Sequence, residues 1–162
     1  NKEYERLPEA TKSKINTYKE TKIQDLVKHP IIINSNGKEI LSEKILQKLI
    51  LENIENFLKE LGNGFSYVAS EYKIKVGDRY NYLDLLLFNT IYLCYVVVEL
   101  KITELKKEHI GQIEIYMNYI DKHLKTINQD KTIGIVICKK DNHFIMEYCS
   151  DPRIFCTSYI TI

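Results

Sequence analysis

Apolar residues recur at every third or fourth position between residues 41 and 61, which is the spacing of one face of a helix. Ser42 supplies a side-chain oxygen that can cap the first turn, and Gly62 can end the helix. The pattern therefore predicts one long helix over residues 41–61. Its apolar stripe consists of Leu46, Leu49, Ile50, Ile54, Phe57, Leu58 and Leu61.

After residue 64 the hydrophobic pattern becomes typical of strands. Loose alternation and short apolar runs predict strands over Phe65–Val76, Tyr80–Phe88, Ile91–Lys101 and Lys131–Cys138. Gly77-Asp78 indicates a hairpin turn between the first two strands, and the short link Asn89-Thr90 joins the second to the third. The last of the four is a continuous apolar run, which predicts burial on both of its faces.

A second helix, predicted over Glu104–Lys125, separates the third strand from the fourth. Strands joined by short links pair antiparallel, whereas a helical crossover leads to a parallel neighbour. The order α-β-β-β-α-β therefore predicts an α/β fold in which helices flank a mixed β-sheet. The segments His143–Cys149 and Phe155–Ile160 are predicted as weaker strands or mixed structure.

The polar N-terminal residues predict how the chain divides into an arm and a folded domain. Residues 1–40 are polar, with a short helix predicted over Thr11–Lys28, and we expect them to form a linker or N-terminal arm. Residues 41–162 then form the folded domain. The longest apolar runs, such as Ile91–Val98, are far shorter than the roughly 20 residues of a membrane helix, so no membrane span is expected.

Composition and net charge exclude only a few classes of protein. The chain has 162 residues, of which 44% are apolar and 28% charged, as in globular proteins. A net charge of +1 neither requires nor excludes a polyanionic partner. The four cysteines, Cys94, Cys138, Cys149 and Cys156, contain no Cys-x-x-Cys pair. We expect all four to be reduced, core or near-core residues of a cytoplasmic protein; a disulfide or a zinc site is the alternative.

Charged residues interrupt two otherwise apolar strands. Asp84 stands within Tyr-Leu-Asp-Leu-Leu-Leu-Phe, and an unpaired carboxylate there would cost several kcal/mol. Glu99 and Lys101 end the run Val96-Val-Val-Glu-Leu-Lys and share one face of their strand. Because the two strands are hairpin neighbours, Asp84 and Glu99 are expected side by side. Adjacent carboxylates repel unless a cation joins them, and a hard ion such as Mg²⁺ prefers oxygen ligands.

A purely structural alternative exists for the same charges. Asp84 and Lys101 could form an ion pair, with Glu99 solvated at the end of its strand. The spacing Asp-x14-Glu-x-Lys across a predicted hairpin, in apolar strands, favours the functional interpretation.

Polar residues on the two helices can add to this site. His109, Gln112 and Tyr116 form a stripe at spacings of three and four along the second helix. On the first helix, Glu60 lies at the edge of the apolar stripe, about 80° from its centre at 100° per residue. Glu71 in the first strand is a lesser candidate.

These residues resemble the PD-(D/E)XK nuclease superfamily, and within it the bacterial YhcG-like family. The resemblance rests on the order and spacing of five stretches within residues 45–160: Glu55–Phe65, Tyr82–Phe88, Val96–Lys101, Gly111–Tyr119 and Ile133–Lys139. It implies a restriction-endonuclease-like fold and Mg²⁺-dependent cleavage of phosphodiester bonds, with Mn²⁺ as a substitute ion. One departure is Leu83, which stands where the superfamily's proline would be, although many members lack that proline.

The resemblance also implies roles for individual residues. Asp84, Glu99 and Lys101 match the motif aspartate, acid and lysine, and Gln112 matches a helix glutamine of many members. Glu60 matches the first-helix acid less securely. The expected metal ligands are Asp84, Glu99 and the backbone carbonyl of Leu100. The expected contacts to nucleic acid are Lys106, Lys107, His109, Tyr116, Lys125, Lys139 and Lys140.

The expected partner is nucleic acid, DNA more than RNA. Full-length relatives are expected to carry an additional N-terminal domain, which these 162 residues would lack. A homodimer would suit the cutting of both strands of a duplex, although nothing in the sequence requires it. The alternative function is a catalytically degenerate nuclease fold that binds nucleic acid or protein.

Overall fold

The computed structural model describes residues 27–162, so the helix predicted over Thr11–Lys28 lies outside the described residues except at its last two positions. The elements are, in chain order, β1 (Ile31–Ile33), α1 (Glu43–Glu52), α2 (Ile54–Leu61), β2 (Phe65–Val76), β3 (Arg79–Asn89), β4 (Cys94–Leu100), α3 (Lys107–His123), β5 (Ile133–Cys138), α4 (His143–Glu147) and β6 (Ile154–Thr161).

Six strands form one mixed sheet in the order β1-β6-β5-β4-β3-β2. The hairpin-linked strands β2, β3 and β4 pair antiparallel. Strand β4 then pairs in parallel with β5 through the crossover helix α3, and β5, β6 and β1 continue in parallel. The predicted mixed α/β sheet with flanking helices is confirmed. Strand β5 is buried at all of its positions, as its apolar run predicts.

Three local features of the structure differ from the elements that the sequence predicts. The first helix is two helices, because Asn53 leaves the helical conformation with φ −138° and ψ 51°. The segment after Asn142 forms the short helix α4 rather than a strand, with the Asn142 side chain capping it. Strand β1 pairs with β6 and lies within residues 1–40, so the sheet begins inside the segment expected to be a linker.

The sheet separates two apolar layers. On one face, helices α1 and α2 bury Leu46, Ile50, Phe57 and Leu61 against the strands. On the other face, α3 buries Ile113, Met117 and Ile120. A Cβ atom at Gly134 would lie 2.7 Å from Met117 Sδ, so the glycine allows α3 to approach β5 closely.

Two further expectations concern the membrane and the cysteines. Among the helices within residues 27–162, none is long and apolar enough to cross a membrane. Cys94 and Cys138 are buried, as their apolar runs predict, and Cys149 and Cys156 are partly buried. The Cys138 and Cys156 Sγ atoms lie 3.2 Å apart on the neighbouring strands β5 and β6.

Candidate active site at the end of strands β3 and β4

Two carboxylates bridge β3 and β4 at the point where their backbone pairing stops. The last paired residues are Leu85 and Val98. Beyond them, the Asp84 N–H donates to Glu99 Oε1 at 3.3 Å, and the Leu100 N–H donates to Asp84 Oδ2 at 2.8 Å. Side-chain oxygens thus replace backbone carbonyls as acceptors. The carboxylate pair, Asp84 and Glu99, is held by the strand backbones themselves.

The strands change direction at the same point. Strict alternation would place Leu83 and Leu85 on one face of β3, yet Leu83 packs in the layer under α3 and Leu85 in the layer under α1. On β2, Glu71 lies opposite, between the paired residues Ser70–Leu85 and Tyr72–Leu83, and has φ +49°. A non-glycine residue in this left-handed region costs about 1–2 kcal/mol. The kink across β2 and β3 therefore sets the orientation of Asp84.

The carboxylate pair is electrostatically strained. Burial raises the pKa of Asp84 above its ordinary value, although the Leu100 N–H, Glu99 and Lys101 oppose the rise. The pKa of Glu99 lies well above its ordinary value, because burial removes it from water and the Asp84 carboxylate repels a second negative charge. Glu99 is only 4% exposed. Burial and mutual repulsion therefore favour the protonated form of Glu99 in the absence of a cation.

The donor set fits a hard divalent ion better than zinc. Across residues 27–162, no three His, Cys, Asp or Glu side chains are grouped so that they could hold a metal ion together. Mg²⁺, however, is commonly bound through one or two carboxylates, with water and substrate phosphate completing its shell. Each carboxylate accepts a hydrogen bond from a backbone N–H at one oxygen, and the two carboxyl groups also interact with each other. A divalent ion between the two carboxylates would relieve their repulsion.

We expect Glu99→Gln to stabilise the metal-free protein at neutral and higher pH. Because the pKa of Glu99 is raised in the folded state, Glu99 ionises at lower pH in the unfolded chain than in the folded protein. The stability that the protonated side chain contributes is therefore lost as pH rises. The glutamine cannot ionise. The expected gain is about 1–2 kcal/mol, or roughly 3–6 °C in Tm, at about pH 8 and close to zero at about pH 4.

Thermal unfolding followed by circular dichroism in EDTA checks this expectation, with Glu60→Gln as the matched control. Glu60 is a partly buried carboxylate beside Lys28 and away from the carboxylate pair, so its replacement is not expected to reproduce this gain. A difference between Glu99→Gln and wild type that stays constant over the whole pH range would contradict it.

A chain of hydrogen bonds positions the lysine. Lys101 Nζ donates to Gln112 Oε1 at 3.3 Å, and Gln112 Nε2 donates to Tyr116 Oη at 2.9 Å. Both Gln112 and Tyr116 lie on α3, whose approach to the sheet places them beside the carboxylates. Burial and the charge of Glu99 raise the pKa of Tyr116, so it stays a neutral phenol. Both the oxygen and the nitrogen of the Gln112 amide are therefore hydrogen-bonded, and the oxygen accepts from the Lys101 ammonium group.

The structural alternative for these charges does not hold. The Lys101 ammonium group donates a hydrogen bond to Gln112, and within residues 27–162 it forms no ion pair with Asp84. Glu99 is buried rather than solvated at the end of its strand.

Glu60 is not brought to the carboxylate pair. One of its oxygens accepts from the Ile32 N–H at 3.2 Å, and the other lies 3.7 Å from Lys28 Nζ. Both partners belong to β1 or the residues before it. Strand β1 is four strand positions from β3, or about 19 Å across the sheet. The geometry therefore leaves the Glu60 prediction without support.

Two other polar residues approach Asp84 instead. Gln47 of α1 is 5% exposed, and its Nε2 donates to the backbone carbonyl of Asp84 at 2.9 Å. The sequence pattern did not predict this contact, although a polar residue beside Leu46 at the edge of an apolar stripe was a usable signal. Glu71, the lesser candidate, lies within electrostatic reach and raises the pKa of Asp84 as the weakest of its influences.

Four exposed lysines border the site at the carboxyl ends of β4 and β5. The loop after β4 and the loop after β5 are joined by backbone bonds, from Lys139 N to Thr103 O and from Leu105 N to Lys140 O. This rim consists of Lys106, Lys107, Lys139 and Lys140. His109 accepts at Nδ1 from the Lys106 N–H at 3.0 Å, and burial, Lys101 and Lys106 lower its pKa. It is therefore a neutral ring beside the rim.

A mixed sheet with helices on both faces and an Asp-Glu-Lys set at the end of two strands defines a restriction-endonuclease-like fold. The sequence matches the YhcG PDDEXK nuclease domain family over residues 24–161, and the chain belongs to this family. A curated relative, "Putative nuclease YhcG" of Escherichia coli (strain K12), is 26% identical over 116 residues. That alignment covers 71% of this chain and 31% of the relative, so the chain spans about a third of the relative's length.

Two solved structures share the fold. A structure described as an EndoMS–dsDNA complex has a TM-score of 0.53 and 19% identity, and covers 75% of this chain and 47% of that chain. A repair endonuclease from Pyrococcus abyssi has a TM-score of 0.50 and 16% identity, with coverage of 75% and 48%. At these identities the likeness establishes the fold alone.

Proposed function

We propose that this chain is a metal-dependent nuclease that hydrolyses phosphodiester bonds in nucleic acid, and DNA in preference to RNA. The observation that carries the proposal is the buried carboxylate pair with raised pKa values beside Lys101. A fold has no structural need for two adjacent buried carboxylates that repel each other. A site that binds a divalent cation does need them.

Asp84, Glu99 and the backbone carbonyl of Leu100 are the proposed ligands of Mg²⁺, or of Mn²⁺ in its place. When bound, the ion would stabilise charge on the scissile phosphate and lower the pKa of a bound water.

The remaining residues orient the reacting groups and neutralise negative charge on the substrate. Lys101 Nζ, held by Gln112, donates to the attacking water or to a phosphate oxygen and offsets the negative charge that develops there. Gln47 fixes the Asp84 carbonyl, and so the strand that carries the carboxylate. The rim lysines contact phosphates on either side of the cut and fix the position of the strand. Gln112, His109 and Tyr116 complete the proposed contacts; Glu60 is left out.

The preference for DNA rests on analogy. One structure with this fold is described as a complex with dsDNA and another as a repair endonuclease. The four rim lysines would contact phosphates of either nucleic acid equally well. RNA therefore belongs in the experiment as a competing substrate.

A cleavage assay tests the proposal directly. Supercoiled DNA, single-stranded DNA, a branched DNA junction and RNA are each incubated with the protein in Mg²⁺, in Mn²⁺ and in EDTA. We expect metal-dependent cutting of at least one DNA substrate and slower cutting of RNA. Glu99→Gln should be inactive, whereas Glu60→Gln should retain activity within about threefold, because its carboxylate lies elsewhere.

Three results would contradict the proposal or its assignment of the site. Cutting in EDTA would exclude the metal-dependent mechanism. No cutting of any substrate, together with salt-dependent binding of nucleic acid, would support the degenerate binding module instead. Equal loss of activity in Glu60→Gln and Glu99→Gln would contradict the assignment of the site to β3 and β4.

A further inference from the structure

Strands β2 and β3 continue beyond the sheet as a two-stranded arm. Strand β3 pairs with β4 only as far as Leu85, but its pairing with β2 runs on from Tyr72–Leu83 to Val76–Arg79. We call residues 72–83 the hairpin arm. The arm begins immediately before Asp84, so it extends directly from the carboxylate pair.

One face of the hairpin arm is anchored. Ile74 is 1% exposed and Leu83 is fully buried, and both pack in the layer that contains Leu105, Ile113 and Tyr116. An isolated two-stranded hairpin is only marginally stable in water, so this packing holds the arm in place. The opposite face is therefore presented in a fixed orientation.

That opposite face combines exposed aromatic rings with positive charge. Tyr80 is 55% exposed and Tyr82 is 49% exposed. Lys73 pairs across the ladder with Tyr82, and Lys75 pairs with Tyr80. Lys73 Nζ lies 4.1 Å from the centre of the Tyr80 ring. Counted over both of its faces, and so including Arg79 on the face of Leu83, the arm carries three basic side chains against one acidic side chain, Asp78.

These features match the chemistry of a strand with unpaired bases. Successive bases of single-stranded nucleic acid stack on aromatic side chains, while basic groups follow the phosphates. A fully paired duplex would engage the lysines but offers no base faces to Tyr80 and Tyr82. Tyr82 is two residues from Asp84, or about 7 Å, and Tyr80 is four residues away, or about 13 Å. At a rise of about 3.4 Å per stacked nucleotide, this distance covers the first few nucleotides beside the cut.

We propose that the hairpin arm binds unpaired nucleotides next to the scissile phosphate, so that the substrate class is nucleic acid with a single-stranded segment at the cut site. This inference rests on the proposed function, because it names the substrate of the same site. Lys73 and Lys75 contact the phosphates of that segment, and Tyr80 and Tyr82 stack on its bases.

Binding by an inert protein tests the arm separately from cleavage. Asp84→Asn protein in EDTA is titrated against a fluorescein-labelled single strand of about 20 nucleotides and against the same strand in a duplex, with fluorescence anisotropy as the readout. Adding Tyr80→Ala and Tyr82→Ala together should weaken single-strand binding by at least about 30-fold, but duplex binding by less than about threefold.

Three further variants sharpen the comparison. Tyr80→Phe with Tyr82→Phe keeps both rings and should bind the single strand within about threefold of the Asp84→Asn protein. Tyr148→Ala, which removes an even more exposed tyrosine outside the arm, should change neither affinity. Lys73→Ala with Lys75→Ala should weaken binding to both probes and lower the salt dependence by about two phosphate contacts.

The arm proposal and the nuclease proposal can be overturned independently of each other. Unchanged single-strand binding in the folded double alanine variant would overturn the arm proposal, and so would an equal loss on both probes. Cutting by the wild type could still be seen in that case. Tyrosine-dependent binding by a protein that never cuts would support the arm and overturn the nuclease.

Discussion

Asp84→Asn is expected to lower metal-dependent cleavage by about 10³-fold or more without loss of the fold. A bound divalent ion contributes several kcal/mol of charge stabilisation, and each 1.36 kcal/mol corresponds to a tenfold change in rate. The asparagine oxygen can still accept from the Leu100 N–H, the bond that now holds the carboxylate. The variant therefore removes the negative charge but keeps the bridge between the strands.

Melting temperature measured with and without Mg²⁺ separates loss of the ion from loss of the fold. Wild type should gain stability as Mg²⁺ is added, because the ion binds the folded state. Asp84→Asn should melt at or above the wild-type temperature in EDTA, since repulsion with Glu99 is relieved, and should gain little from Mg²⁺. Asp130→Asn, at an exposed position near the opposite end of β5, should behave like wild type in both respects. Cleavage by Asp84→Asn within about tenfold of wild type would contradict the proposed ligand.

The main part of this site was predictable because it depends on local rules. Alternation along a strand puts Glu99 and Lys101 on one face, and a hairpin makes the strands that carry Asp84 and Glu99 neighbours. The register depends on the turn: a two-residue link at Asn89-Thr90 would place Asp84 opposite Tyr95, whereas the observed turn over residues 90–93 pairs Leu85 with Val98 and brings Asp84 to Glu99. Charged residues in apolar strands were therefore a reliable signal.

The Glu60 prediction depended on the phase of one uninterrupted helix. The break at Asn53 resets that phase, so a helical wheel over residues 41–61 does not describe where the α2 side chains point. The pairing of strand β1 was also hidden, because the strand has three residues and its partner β6 lies at the other end of the described chain. Glu60 contacts that strand. Gln47 was missed for a related reason, since its role depends on how α1 crosses the sheet.

Lys101→Met is expected to reduce the cleavage rate by about 10²–10³-fold while leaving the response to Mg²⁺ in place. Removing one group that stabilises developing charge typically has an effect of this size. Methionine retains an unbranched apolar stem but loses the ammonium group that Gln112 now holds. The carboxylate pair remains, so the rise in Tm on addition of Mg²⁺ should persist, in contrast to Asp84→Asn.

Gln112→Leu provides the graded comparison for this lysine. It removes the acceptor of the Lys101 bond, and the donor to Tyr116, but leaves the positive charge in the site. A loss of about tenfold is expected, smaller than for Lys101→Met, because the ammonium group is less well oriented rather than absent. The double variant should be little worse than Lys101→Met alone, since Gln112 acts through the lysine. Additive losses in the double variant would instead indicate that Gln112 contacts the substrate directly.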